Sequence, residues 1–157
     1  MPRKTTETPP MPGFKRSVII HKPIEEVFDF ATDTANAARF LPGVTKIEML
    51  TEGGMKPGAK FRETRLLNGK ERSAVIAVVE HKRPEVHAAC SALMGMRAAY
   101  VFRFFPDPAG TRVEMEADVQ GNVLWWLFLG MLARMMEKED GEYLNRLKDA
   151  MQSAPSK

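Results

Sequence analysis

Apolar positions along the chain fall into three regimes. From Phe14 to His21 they alternate loosely and are rich in Val and Ile, which predicts a strand ended by Lys22-Pro23. Pro23 at a first helical position, with Glu25 and Glu26 in the first turn, then starts a short helix whose apolar residues are Ile24, Val27, Phe28 and Ala31. A second short helical piece, about 35–40, stops at Leu41-Pro42-Gly43. Between there and Gly121 the pattern changes to strand-like runs separated by turn signals, at about 44–51, 59–67, 70–81, 86–93, 97–105 and 111–120. From Val123 onward the period becomes helical.

Asn68-Gly69 between two of these runs is a strong two-residue hairpin signal. With Leu67 opposite Lys70, Phe61 faces Ile76, Glu63 faces Ala74 and Arg65 faces Arg72. That register gathers Phe61, Ala74, Ile76 and Val78 on one apolar face and brings Glu63, Arg65 and Arg72 with them. The last run alternates Val113, Met115, Ala117 and Val119 with Arg112, Glu114, Glu116 and Asp118, so one face is buried and one is wet. The run before it is expected to bury Tyr100, Phe102 and Phe104.

The closing helix opens with V-L-W-W-L-F-L-G-M-L-A-R-M-M, too short an apolar run to cross a bilayer. Placed at about 100° per residue, Trp125, Leu129, Leu132, Ala133, Met136, Tyr143, Leu144, Leu147, Ala150 and Met151 form one core stripe. Leu124, Leu127, Phe128, Met131 and Met135 fall off it as a surplus apolar face, confined to the first half. Asp140 lies near the centre of the stripe and Gly141 follows it. Either the helix shifts phase at Gly141, or a carboxylate faces inward.

A strand, two short helices, six antiparallel strands in meander order and a long helix make an α+β domain in which one helix covers a wide curved sheet. At 157 residues the chain suffices for one such domain without metal or disulfide staples, and its single Cys90 forms no internal disulfide. The tail, residues 1–13, is polar and proline-rich and is expected to be disordered, leaving 14–153 as the single domain. It shows no signal-peptide pattern, so a reducing, cytoplasmic setting is expected. The net charge of +3 has no concentrated source, which argues against nucleic acid as a partner. His21, His81 and His87 are scattered without ligand-like spacing, so neither a metal nor a cofactor is expected. The stretch G-G-M-K-P-G-A-K has Ala59 where a phosphate loop needs Lys.

The order of elements, with P-I-E-E-V-F-D-F, A-R-F-L-P-G, P-G-A-K-F-R-E-T, the E-H-K-R-P turn and G-T-R-V-E-M-E-A before a long terminal helix, resembles the START-like helix-grip (SRPBCC) superfamily. More narrowly it resembles the polyketide cyclase/dehydrase and lipid-transport family, over about Phe14 to Met151. The resemblance implies a seven-stranded curved antiparallel sheet wrapped around the C-terminal helix, with a deep apolar cavity between them. Relatives hold lipids, sterols, polyketides, hormones or quinones there, and some catalyse cyclisation or dehydration. These motifs mark turns and core positions, and no shared catalytic motif exists to carry over.

On this basis the ligand-binding candidates are Phe28, Phe61, Ile76, Tyr100, Phe102, Met115, Trp125, Leu129 and Met136, lining or flooring the cavity. Glu63, Arg65, Arg72 and Asp140 would orient a polar end, since buried charges must be paired. If the protein is an enzyme, Glu63, Arg65 or Tyr100 is the candidate for proton transfer. The sequence leaves open a carrier of a small hydrophobic molecule, a cyclase or dehydratase, and an interaction module using the surplus face. Leu124, Phe128 and Met131 are the candidate homodimer contacts, and the same face, with Leu127, is a candidate for the entrance of the cavity and for transient contact with a membrane surface.

Overall fold

Asn68 and Gly69 both have positive φ, 51° and 75°, and this turn closes the hairpin that fixes the register of the sheet. The computed structural model describes residues 13–93, 95–121 and 126–153. In it β3 (Lys60–Leu67) and β4 (Lys70–Lys82) flank the turn. Leu67 pairs with Lys70, Glu63 with Ala74 and Arg65 with Arg72, the register the hairpin signal predicts. The remaining strands are β1 (Gly13–Ile20), β2 (Val44–Met49), β5 (Val86–Leu93), β6 (Met96–Asp107) and β7 (Gly110–Gly121). They form one antiparallel seven-stranded sheet in the order β1-β7-β6-β5-β4-β3-β2.

Between β1 and β2 the chain crosses from one sheet edge to the other through α1 (Ile24–Thr32), a 3-10 turn (Thr34–Asn36) and α2 (Ala37–Phe40). The terminal segment is two helices, α3 (Trp126–Asp140) and α4 (Tyr143–Ser153), where the periodicity suggests one. A side chain at position 141 would place its Cβ 2.3 Å from the Glu137 carbonyl oxygen, so the tight junction requires Gly141. The two alternatives posed by the sequence therefore both hold: the helix breaks at Gly141, and Asp140 is also buried, at 8% exposure.

Helices α3 and α4 pack on β1 and β7, over a main core that includes Phe28, Phe102, Met115, Leu129, Met136 and Leu147. A second, smaller core holds Ala59, Phe61 and Val78 on the β3 and β4 side. Residues 70–75 of β4 are exposed, because α3 and α4 pack on β1 and β7 at the opposite side of the sheet. On the surplus face of α3, Phe128, Met131 and Met135 are about half exposed, at 49%, 58% and 51%. The tail residues 1–12, Leu124 and Trp125 lie outside the described residues. Among the described residues, no helix is long and apolar enough to cross a membrane.

Candidate functional site

The seam between the two cores is hollow. A cavity of about 140 Å³ lies there, walled on one side by Ile47, Met55, Phe61 and Ile76 and on the other by Phe40, Leu41, Phe102 and Phe104. Strand β5 supplies the space: its inward positions are His87, Ala89 and Ser91, paired with Phe102, Tyr100 and Ala98 on β6. Two alanine- and serine-sized side chains at the middle of a sheet leave room that Leu or Phe would fill.

One wall of the cavity is polar. Arg65 donates from Nε to Oε1 of Glu63 at 2.5 Å and from Nη1 to Oδ1 of Asp140 at 3.4 Å. The Tyr100 hydroxyl donates to Oδ2 of Asp140 at 2.7 Å. Glu63 is as buried as Asp140, at 8% exposure. Alternation puts Glu63 and Arg65 on the inner face of β3, β6 brings Tyr100, and the break after α3 aims Asp140 at both. Burial works against the Arg65 charge, and the carboxylates of Glu63 and then Asp140 outweigh it, so its pKa stands above the ordinary guanidinium value.

Tyr143, the first residue of α4, packs its ring against Phe40 and Phe102 at centroid distances of 5.3 and 5.0 Å. Burial, and after it the charges of Glu63 and Asp140, push its hydroxyl far above the usual phenol range, so it stays protonated. On the far side, Nδ1 of His87 lies 3.0 Å from Nδ1 of His81. Burial, reinforced by His81, lowers the His87 pKa to about 4, which makes it a neutral imidazole at physiological pH. His81 is lowered by burial too, against the opposing charge of Asp29, and its ring packs on Phe28 at 5.2 Å.

Of the residues singled out from the sequence, Phe61, Glu63, Arg65, Ile76, Tyr100, Phe102 and Asp140 line this cavity. Arg72 does not. Although opposite Arg65 in the register, it lies on the uncovered half of β4 and is exposed to solvent. Phe28, Met115, Leu129 and Met136 are also absent from the described lining, because they are packed solidly in the main core beneath the helices. Trp125 lies outside the described residues. Conversely, sequence reading missed His87, Tyr143 and Met55. A bulge between Val78 and Glu80 turns His81 to the inner face opposite His87, and a strict period of two does not reveal that pairing. Among the described residues no group of three His, Cys, Asp or Glu side chains is placed to hold a metal ion.

A curved antiparallel sheet closed by a C-terminal helical segment, with short helices after the first strand and a cavity at the seam, defines the helix-grip class. The chain belongs to the polyketide cyclase/dehydrase and lipid transport family, which it matches over residues 11–152. Among solved structures, a Nitrosomonas europaea protein superposes with a TM-score of 0.72 at 14% identity, over 88% of this chain and 93% of its own. A Thermus thermophilus protein gives 0.70 at 19%, over 90% and 98%. The di-domain ARO/CYC BexL of the BE-7585A biosynthetic pathway gives 0.71 at 20%, over 90% of this chain and 50% of that one. At these identities the likeness is one of fold. No curated protein matches the sequence.

Proposed function

We propose that this protein binds a small, largely apolar molecule in the cavity between the sheet and the C-terminal helices, with Glu63, Arg65, Tyr100 and Asp140 holding its polar end. The observation that carries this reading is the placement of two buried carboxylates, a guanidinium and a phenol on one wall of a mainly apolar hollow. Plain packing has no use for such a group, since an apolar replacement of similar volume is commonly at least as stable. Membership of a family described by lipid transport supports the same reading.

Native mass spectrometry of the purified protein, followed by titration with lipids, quinones, polyketides and single-ring aromatics, tests it. Ala89→Phe fills the hollow from β5 and should abolish binding while the fold persists by circular dichroism. An empty protein that binds nothing in the panel would overturn the proposal.

A second reading is favoured by a specific arrangement. His87 presents a neutral imidazole to the same cavity that Tyr143 lines with a protonated phenol, so a proton acceptor and a proton donor face one space. The family's cyclase and dehydrase members, and BexL among the structural neighbours, support a proton-transfer reaction of that kind. His87→Gln should then remove turnover of a bound substrate and leave its binding intact.

A further inference from the structure

The charges on the cavity wall do not balance. Among the described lining residues, Asp33, Glu63 and Asp140 carry carboxylates and Arg65 carries the one guanidinium. That guanidinium is already engaged by both Glu63 and Asp140. The Tyr100 proton is committed to Asp140. His87 is neutral and adds no positive charge. The carboxylates also help to hold the Tyr143 hydroxyl protonated, the response expected of a neutral acid in a field that resists a further negative charge.

We propose, resting on the binding role inferred above, that the ligand is a molecule of about one ring whose polar end is a hydroxyl or an amine, and that anionic heads are excluded. A carboxylate or phosphate entering this space would meet two buried like charges and gain Arg65 only by breaking its existing pairs. A hydroxyl or ammonium group donates instead to the remaining lone pairs of the Glu63 and Asp140 carboxylates. Size follows from the volume. The hollow measures about 140 Å³, and an apolar cavity of about 150 Å³ admits a single benzene ring. Fused multi-ring skeletons and long acyl chains are too large to be enclosed by it.

Three compounds with one skeleton test the proposal: 2-phenylethanol, 2-phenylethylamine and phenylacetate, titrated calorimetrically into the full chain at neutral pH. The alcohol or the amine should bind at least about tenfold more tightly than phenylacetate, a floor set by one like charge at short range even where screening is nearly that of water. Comparison of the first two separates a neutral from a cationic head. Glu63→Gln keeps the shape and removes one charge, so it should narrow the gap; Asp140→Asn serves equally where the first variant fails to fold. Phenylacetate binding as tightly as the alcohol, silence of all three, or a gap unchanged in both variants overturns the inference. In the first case the cavity still binds ligand and the proposed function stands. Silence of the three together with failure of the whole wider panel removes both.

Discussion

The Tyr100 hydroxyl donates to Oδ2 of Asp140 at 2.7 Å, tying the middle of the β6 strand to the last residue of α3. This bond joins the sheet to the helix at the point where the helix breaks, so it serves both the shape of the cavity and its polarity. Tyr100→Phe should cost about 1–3 kcal/mol, the range for leaving a buried acceptor short of a partner. Urea denaturation measures it, and a loss within error of zero would show that water replaces the phenol.

Arg65 holds two buried carboxylates apart in charge. Arg65→Met should destabilise the fold by about 3 kcal/mol, the low end for breaking a buried pair, because one fifth of the side chain is exposed. The triple replacement Glu63→Leu, Arg65→Met, Asp140→Leu should recover part of that loss, since no unpaired charge remains although the Tyr100 hydroxyl loses its Asp140 acceptor. A triple variant as unstable as the single one would refute the electrostatic account.

His87 makes stability depend on pH in a defined direction. The unfolded chain takes up a proton on this residue near pH 6.5, and the folded chain only near pH 4. Stability from the neutral ring is therefore intact above pH 6.5, declines as pH falls, and is fully lost just below pH 4. The difference is on the order of 3 kcal/mol. His81, also lowered, adds to the same slope. Denaturation of the protein and of His87→Gln across this range should show a shallower acid loss in the variant; equal slopes would contradict the burial of a neutral ring.

Gly141→Ala discriminates a broken helix from a continuous one. In a straight helix the change would stabilise by roughly 0.5–1 kcal/mol. Here the added Cβ meets the Glu137 carbonyl at 2.3 Å, so the junction must shift and carry Asp140 with it. We expect a lower melting temperature and weaker ligand binding. A rise in melting temperature would mean that α3 and α4 can form one helix.

Much of the fold was legible because its signals are local. Asn68-Gly69 dictated the hairpin, and the hairpin placed Glu63 and Arg65 on the inner face by counting in twos. The helical stripe located Asp140, and the glycine after it marked the break. What escaped was set by distant coverage and by an inserted residue. Arg72 shares the face of Arg65, yet no helix among the described residues lies over it. Phe28, Met115, Leu129 and Met136 have the right character for a cavity wall, and only the packing of the helices on β1 and β7 decides that they form solid core. The His81–His87 contact depends on the bulge after Val78, which no periodicity announces.

The small residues at the centre of β5 have a thermodynamic consequence. Atoms facing an empty hollow lack van der Waals partners on one side. At about 24 cal/mol per Å³ of void, a space of about 140 Å³ forfeits at most about 3 kcal/mol of dispersion energy, less where the polar wall holds water. Any molecule that fits restores part of that attraction. Ligand occupancy and melting temperature should therefore rise together, which makes thermal melting a first screen for molecules that fit the cavity.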